Sequence, residues 1–490
     1  MQMLERVRSG IAGLDTVLCG GFPKGGIHVI QGMPGTGKTT LGNQICYQHA
    51  ERGGRALYVT LLAESHSRML LHLETMRFFD ASLLPEHVAY ISGLQVLDGE
   101  GLAGLITLIR REIATRKATV MVLDGLIAAE DQAQSDTEFK KFIQELQIQA
   151  GLHGCTIFLL TTPRGPSIAP ERTVVDSIVE LTDIRYGSRT ERGLFVNKLR
   201  GSDYLAGRHP FLITQDGLEV YPRIETVLRQ ATRADKVGQA RLSIGIPGLD
   251  EMLGGGIPEA TVMGVIGPSG IGKTTLGLHF VCESAAEEPS LFFGFYETPP
   301  RLIQVASSLG LDLAGRIGSG EAEIMWQPQG EDIQDAMAHR LLDRVRRHHT
   351  RRLFIDGLGA FQEASIEPDR IGRFFSVLVN ELRALDVTTL YTMETPDLIG
   401  PGMRVPIEVT SAIMESLLGL RYLEHHSRAR RLLSVIKVRG SGFDPTLREF
   451  SIADGQGICL AGPFEDAEHL LTGFAHDRIV RGVSPAPGSQ

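Results

Sequence analysis

The sequence contains the stretches GMPGTGKT at residues 32–39 and GPSGIGKT at residues 267–274. Both fit the pattern G-x-x-x-x-G-K-[ST], and each stands between an apolar run and a run with helical spacing. In that context the pattern is typical of a phosphate-binding loop between a strand and a helix. The glycines let backbone N–H groups curl around phosphates, and the helix N-terminus adds its positive dipole end. The sequence therefore predicts two sites for ATP.

Within the loops, individual residues have distinct predicted roles. Lys38 and Lys273 are expected to reach the β- and γ-phosphates, while Thr39 and Thr274 are expected to ligate Mg²⁺. The alternative is a glycine-rich turn that binds no nucleotide. The predicted loop contacts to ATP are Gly32, Gly35, Thr36, Gly37, Lys38, Thr39 and Thr40 in the first copy, and Gly267, Ser269, Gly270, Ile271, Gly272, Lys273, Thr274 and Thr275 in the second.

The repetition extends beyond the loops. SGIAGLDTVLCGGFP (9–23) resembles SIGIPGLDEMLGGGIP (243–258), and MVLDGLIA (121–128) resembles LFIDGLGA (353–360). Near the end of each half, NKLRGSD (197–203) matches IKVRGSG (436–442). Four motifs in one order at nearly one spacing indicate a tandem duplication.

Each half alternates short apolar, β-branched runs with helical patterns, which indicates an α/β fold. We predict two tandem phosphate-loop domains, each a mostly parallel sheet flanked by helices. The predicted boundaries are 1–228 for the first domain, 229–240 for the linker, 241–460 for the second domain and 461–490 for a C-terminal tail.

Carboxylates follow two of the predicted strands in each half. Asp124 and Asp356 end apolar strands in the Walker B arrangement, where an aspartate holds Mg²⁺ through water; the alternative is a helix N-cap. Phosphoryl transfer also needs a group that orients the attacking oxygen. Glu297 and Glu64 follow an earlier predicted strand of their half and are the candidate catalytic bases, with Glu297 also a candidate metal ligand. An isolated glutamate there is otherwise a solvated loop residue.

The K-x-R-G-S motifs lie late in each half on apolar strands. Their own domain's phosphate loop is not an obvious partner, so we expect them to contact the ATP of a neighbouring subunit, as an arginine finger does. The alternative is a surface charge pair. The predicted contacts are Lys198, Leu199, Arg200 and Ser202 in the first half and Lys437, Val438, Arg439 and Ser441 in the second.

Composition limits the function classes. The chain has 490 residues, a formal net charge of −9 and five scattered cysteines. This acidic balance does not favour nucleic-acid binding, and the basic run at 340–352 has the spacing of a solvated helix face. The cysteines form no disulfide pattern. No apolar run has the length of a signal peptide or a membrane span, so the sequence predicts a cytoplasmic protein.

Together the G-L-D element, the loop, the Walker B strand and the K-x-R-G-S strand, each present twice and in this order, resemble the KaiC group of RecA-like ATPases. The resemblance covers about residues 5–460. It implies a homohexameric double ring with ATP and Mg²⁺ at subunit interfaces, a first ring that acts mainly as an ATPase, and a second ring that is a serine/threonine autokinase and autophosphatase.

The sequence departs from this family at several positions. The family has two adjacent catalytic glutamates after the second strand, whereas each half here offers one, so hydrolysis in the first domain is in doubt. The family's adjacent Ser-Thr phosphoacceptor pair corresponds to Ser411 and Ala412. Ser411 is therefore the predicted phosphorylation site, and a two-site ordered cycle cannot run. The alternative is an ordinary hydroxyl in a helix or turn.

Two other functions remain open from the sequence. One is a RadA/RecA-like DNA-dependent ATPase, which shares the G-L-D element but often carries a four-cysteine zinc module that this chain lacks. The other is a nucleotide-bound signalling scaffold with little turnover. The tail string AEHLLTGFA (467–475) resembles family segments that present partner-binding peptides, and a KaiB-like regulatory partner is possible.

Overall fold

The computed structural model describes residues 5–63, 66–163, 174–228, 240–328, 330, 333–395, 413–425 and 428–464. The chain divides into two compact units, Met1–Val227 and Leu228–Gln490. Across the described residues, no helix is both long enough and apolar enough to cross a membrane.

The first unit alternates strands and helices up to its last third. Its described helices are α1 (Ala12–Val17), α2 (Lys38–Glu51), α3 (His66–Leu73), α4 (Leu94–Arg116), α5 (Leu126–Gln132), α6 (Asp136–His153) and α7 (Ile224–Val227), with a 3-10 turn at Ala81–Leu83. Its described strands are β1 (Arg6–Val7), β2 (Phe22–Pro23), β3 (Ile27–Gly32), β4 (Ala56–Thr60), β5 (Val88–Ser92), β6 (Val120–Asp124), β7 (Thr156–Thr161), β8 (Ser177–Tyr186), β9 (Arg189–Leu199), β10 (His209–Thr214) and β11 (Gly217–Val220).

The described strands of this unit form a sheet in the order β11-β10-β9-β8-β3-β7-β6-β4-β5. Strands β5, β4, β6, β7, β3 and β8 run parallel, and β9, β10 and β11 extend the sheet in antiparallel fashion. The central strands are buried along their whole length. Helices on both faces account for this burial, because a parallel sheet must be covered on each side.

The second unit repeats this arrangement. Its described helices are α8 (Pro247–Met252), α9 (Lys273–Cys282), α10 (Pro299–Ser308), α11 (Leu313–Gly318), α12 (Gln334–His348), α13 (Gly359–Glu363) and α14 (Ile371–Ala384), with a 3-10 turn at Pro368–Arg370. Its described strands are β12 (Arg241–Leu242), β13 (Ile257–Pro258), β14 (Val262–Gly267), β15 (Ser290–Gly294), β16 (Ala322–Trp326), β17 (Arg352–Asp356), β18 (Thr388–Glu394), β19 (Ser416–His425), β20 (Arg428–Val438), β21 (Arg448–Ala453) and β22 (Gly457–Pro463).

The described strands of the second unit form a sheet in the order β16-β15-β17-β18-β14-β19-β20-β21-β22, the counterpart of the first order. The predicted fold class, two tandem RecA-like domains with mostly parallel sheets, is confirmed. The last strand runs to Pro463, a few residues beyond the predicted end of the domain at 460.

The recurring G-L-D element, with a serine six or seven residues before its aspartate, has a structural role. Asp15 accepts hydrogen bonds from the Ser9 backbone N–H at 2.8 Å and the Ser9 hydroxyl at 2.7 Å. In the second unit, Asp250 accepts from the Ser243 hydroxyl at 2.7 Å and the Ile244 N–H at 2.8 Å. The aspartate thus fixes the turn that leads into the first short helix of each unit.

The basic run at 340–352 lies mainly on α12, where acidic residues pair with it. Arg344 contacts Glu323 at 2.8 Å, and Arg346 contacts the buried Glu381 at 2.6 Å. These pairs join the helix to β16 and α14, which agrees with the solvated, structural helix face expected from the sequence.

Candidate nucleotide-binding sites

In the first unit, the loop 32–39 connects the end of β3 to the start of α2. The residue before the helix, Gly37, has a φ of 100° and supplies no side-chain cap, so the first N–H groups of the helix are presented to the loop. A Cβ on Gly37 would lie 2.6 Å from Cδ1 of Ile213. Glycine is therefore required here both by the backbone conformation and by the close approach of β10.

Side chains of this loop stabilise its backbone conformation by hydrogen bonds to its own carbonyl oxygens. Lys38 Nζ donates to the carbonyl oxygens of Gly32 at 2.6 Å and Met33 at 3.0 Å. Thr36 is buried and its hydroxyl donates to the Met33 carbonyl at 2.8 Å. Burial lowers the pKa of Lys38, and nearby Asp124 opposes that shift.

A buried carboxylate lies next to the predicted metal-binding hydroxyl. Thr39 Oγ1 donates to Asp124 Oδ2 at 2.9 Å, and the hydroxyl of Tyr58 donates to the same oxygen at 2.7 Å. Burial raises the pKa of Asp124, while these two hydrogen bonds and the charge of Lys38 lower it. Tyr58 is fully buried on β4 and was not among the predicted site residues.

The second unit has the same lysine, threonine and aspartate, but a different second hydroxyl group contacts the aspartate. Lys273 Nζ donates to the carbonyls of Gly267 at 2.8 Å and Pro268 at 2.7 Å. Thr274 Oγ1 donates to Asp356 Oδ2 at 2.8 Å, and Thr392 Oγ1 donates to Asp356 Oδ1 at 2.9 Å. Burial raises the pKa of Asp356 and lowers that of Lys273.

A cavity of about 740 Å³ opens beside this second loop. Its lining includes Ser269, Gly270, Gly272, Lys273, Thr274 and Thr275 from the loop, together with Tyr296, Glu297, Asp356 and Ile452. The volume lies within the range of small-molecule and cofactor sites. A hydroxyl and a carboxylate in contact, next to backbone N–H groups and a lysine, are the donors that Mg²⁺ and a polyphosphate require. The residues therefore fit Mg-ATP.

Glu297 lies in the loop after β15 and lines the same cavity. Its Oε2 atom is 3.0 Å from Nε of Arg301, and both side chains are partly exposed. In strand register, Gly294 faces Asp356 in the second unit and Thr60 faces Asp124 in the first.

Counting three residues on from Gly294 gives Glu297, and three residues on from Thr60 gives Ala63. The loop after β4 is one residue longer than the loop after β15, since α3 starts six positions after Thr60 and α10 starts five positions after Gly294. Counted from the strand, Ala63 takes the place of Glu297, whereas counted back from the helix, Glu64 does. Glu64, the base predicted for the first unit, comes one residue later and lies outside the described residues.

The K-x-R-G-S motifs lie at the end of each sheet opposite the phosphate loop. In register, Leu199 faces Ser177, which faces His28 near the start of β3, whereas the loop begins at the end of β3. This offset of four residues corresponds to about 13 Å along the strands. The second unit has the same register, since Val438 faces Ser416 and Ser416 faces Met263.

Within these motifs, the polar side chains have local partners. Lys437 Nζ donates to the Met414 carbonyl at 2.8 Å, and Arg200 donates to the Val174 carbonyl at 3.2 Å. Arg6 donates a hydrogen bond to the Ser202 hydroxyl. Burial lowers the pKa of both Lys198 and Lys437, and the adjacent arginine of each motif lowers it further.

Three predicted ATP contacts have side chains that face the protein interior. Ile271, Leu199 and Val438 belong to the hydrophobic cores of their units. Any contact from them to ATP must come from the backbone. The predicted phosphoacceptor Ser411 lies outside the described residues.

Two hydroxyl groups that hold the site aspartates, from Tyr58 and Thr392, were missed in the sequence analysis. The available signal was a polar atom inside a buried strand, which is ALYVT in the first unit and TTLYTME, buried except for Glu394, in the second. Buried hydroxyls require hydrogen-bond partners.

The fold and the paired loops define a RecA-like P-loop ATPase with two tandem domains. The sequence profile of the family described as "ATPase: KaiC" matches residues 7–225 and again 242–463. The chain therefore belongs to the KaiC ATPase family.

Its curated relatives are similar over almost their whole length. The circadian clock oscillator protein KaiC of Picosynechococcus sp. is 27% identical, with 98% of this chain and 96% of the relative covered. KaiC of Synechococcus elongatus is 26% identical over the same shares. The circadian clock protein KaiC3 of Synechocystis sp. is 27% identical over 96% of this chain and 94% of the relative.

Proposed function

We propose that this protein binds Mg-ATP at both loops and that the second unit carries out the faster phosphoryl-transfer chemistry. The observation that carries the proposal is the second cavity, in which Lys273, the Thr274–Asp356 pair and Glu297 line one space. The first unit has the same lysine, threonine and aspartate, but its loop is one residue longer, so that Glu64 lies four residues after the strand where Glu297 lies three.

In the second unit, the loop N–H groups and Lys273 bind the phosphates, and Thr274 with Asp356 holds the metal. Mg²⁺ bound there would neutralise the charge that develops on the phosphate oxygens during transfer. Glu297 orients the attacking oxygen and accepts its proton. Arg301, 3.0 Å away, holds this carboxylate in place until the substrate is bound.

The first unit acts as a slow ATPase or as a site whose bound ATP stabilises the assembly. Asp124, Thr39 and Lys38 retain the groups for binding. The carboxylate of Glu64 is shifted by one residue from the strand end relative to Glu297, so we expect water to be activated poorly and phosphate to be released slowly. This proposal also covers the scaffold alternative, in which ATP is held with little turnover.

We further propose a homohexamer in which the K-x-R-G-S residues of one subunit contact ATP of the next. The proposal is supported by the position of Lys437 and Arg439 at the far end of their sheet from their own loop. Two cationic side chains added in trans would stabilise the transferring phosphoryl group.

The autokinase proposal concerns Ser411 as the acceptor in the second unit. It rests on the family relationship and on the second site's Glu297, which a hydroxyl nucleophile needs as its base. Because residue 412 is alanine, we expect phosphorylation at one serine rather than at two adjacent hydroxyls.

The test compares Lys38→Ala with Lys273→Ala in the full chain, with light scattering, phosphate release and intact mass as readouts. We expect Lys273→Ala to lose most phosphate release and all phosphate incorporation, and Lys38→Ala to affect assembly more than turnover. Equal turnover in both variants would contradict the division of labour. A parent chain that stays monomeric in ATP would contradict the interface sites.

A further inference from the structure

The aspartate of each site is supported by a second hydroxyl, and the two units take that hydroxyl from opposite neighbouring strands. In the first unit it comes from Tyr58 on β4, at 2.7 Å from Asp124 Oδ2. In the second unit it comes from Thr392 on β18, at 2.9 Å from Asp356 Oδ1. The strand that carries the aspartate lies between these two neighbours in both sheets.

Strand register identifies the matching positions. Asp124 faces Leu160 on β7, as Asp356 faces Thr392 on β18 in the continuation of the β17–β18 ladder. Tyr58 stands two residues before Thr60, which faces Asp124. Two residues before Gly294, which faces Asp356, stands Phe292.

The residues at these two positions are exchanged between the units. The first unit has a hydroxyl on β4 and leucine on β7, while the second has phenylalanine on β15 and a hydroxyl on β18. Each unit thus has one hydroxyl at these two positions, and each aspartate receives one such bond in addition to that from the loop threonine.

The surrounding packing gives the Tyr58 ring a defined place. A Cβ added to Gly42 on α2 would lie 3.0 Å from Leu160 Cδ1, 3.2 Å from Val122 Cγ1 and 3.7 Å from Tyr58 Cε2. The glycine therefore lets the helix approach the sheet just above these side chains. Tyr58 also packs against Tyr90, with ring centroids 5.4 Å apart. The ring thus lies against Tyr90 and beneath α2, and its hydroxyl reaches the carboxylate.

We propose that Tyr58 is a positioning residue for the metal-binding carboxylate of the first site and that it has there the role that Thr392 has in the second unit. The inference rests on the proposed binding of Mg-ATP at the first loop. Tyr58 fixes the orientation of Asp124, which together with Thr39 would hold the Mg²⁺. It does not touch the nucleotide.

The test uses the full chain with Lys273→Ala, which leaves the first site to bind a fluorescent ATP analogue. Mg²⁺ is titrated at fixed nucleotide, and the concentration that gives half-maximal binding is measured. We expect Tyr58→Phe to raise this concentration about tenfold, because a hydrogen bond to a charged group is lost. Binding without Mg²⁺ is expected to stay unchanged.

Rescue separates positioning from a simple packing role. Adding Leu160→Thr to Tyr58→Phe restores the second unit's arrangement and is expected to return the Mg²⁺ requirement to within about threefold of the parent. The matched control is Leu160→Val, which has nearly the same shape as threonine but no hydroxyl, and it should give no rescue.

An unchanged Mg²⁺ requirement in Tyr58→Phe, or equal rescue by threonine and valine, would overturn the positioning role while leaving Mg-ATP binding in place. Failure of the Lys273→Ala chain itself to bind nucleotide would instead refute the first-site function and the inference together. A circular-dichroism melt of each variant without ligand establishes that the compared chains are folded.

Discussion

Replacing Glu297 by glutamine should separate ATP binding from turnover at the second site. The substitution keeps the size and hydrogen-bonding shape of the side chain but removes its negative charge and basicity. Glu297 lines the cavity together with Lys273 and Asp356. It follows Gly294, which lies beside Asp356 in the sheet, at a strand spacing of about 4.8 Å.

The expected loss of rate follows from the role of a general base. Such a group contributes about 10²–10⁴-fold to rate, which corresponds to about 3–5.5 kcal/mol of activation free energy. Stability should change little, since the ion pair of Glu297 with Arg301 is largely exposed to solvent. Metal binding should persist, because burial is the main cause of the raised pKa of Asp356 and the charge of Glu297 only adds to it, so that removing this charge favours the ionised aspartate.

The assay measures phosphate release and ATP affinity in a Lys38→Ala chain, where only the second site is active. Arg301→Gln is the matched control and should retain most activity. In the reverse experiment, Ala63→Glu is placed in a Lys273→Ala chain and should raise phosphate release from the first site.

A loss of less than about fivefold in Glu297→Gln, with ATP affinity unchanged, would refute the assignment of Glu297 as the base. A parallel loss of ATP affinity would instead show that the residue supports binding. The two outcomes are distinguished because affinity and turnover are measured on the same protein.

Three further predictions concern folding and loop geometry. Burial lowers the pKa of His28 to about 4, and the neutral imidazole therefore stabilises the fold above pH 6.5. As the pH falls from 6.5 towards 4, the free energy of unfolding should decrease by about 3 kcal/mol. In urea unfolding, the free energy of unfolding of His28→Gln should depend less on pH. Two nitrogens of the buried Arg370 lie 3.0 Å from the Asp335 carboxylate. Asp335→Ala leaves this arginine buried without its ion-pair partner and should lower the free energy of unfolding by about 3–5 kcal/mol. The double variant Asp335→Leu/Arg370→Met removes both charges and should lower it less. Gly272→Ala, at φ 116° and 2.8 Å from Ile452 Cδ1, should weaken ATP binding more than about tenfold by equilibrium titration.

The features that the sequence predicted well are those encoded locally. The loops at 32–39 and 267–274 specify both the backbone and the chemistry, because glycines, lysine and threonine at fixed spacing serve one purpose. The buried strands ending at Asp124 and Asp356 are equally evident from their apolar composition. Alternation of such strands with helices leaves few arrangements other than a parallel sheet.

The features that the sequence missed depend on pairing between distant segments. The antiparallel extension β9–β11 has strand-like composition, but nothing local states which edge it joins or in which direction. The ALYVT run containing Tyr58 has the composition of an ordinary buried strand, and only the register with β6 reveals its contact with Asp124. The shift of Glu64 relative to Glu297 likewise appears only when the strand ends and the helix starts of the two units are compared.

The sheet order also bears on how each phosphate loop forms during synthesis. Strand β3, which leads into the first loop, pairs with β7 and β8, and both are synthesised about 120 or more residues later. At about 5–20 residues per second, several seconds separate the emergence of the loop from that of its supporting strands. The order recurs for β14 with β18 and β19. Neither loop can take its final shape on a nascent chain until most of its own unit has been made, so a chain truncated within either unit should not retain that unit's nucleotide.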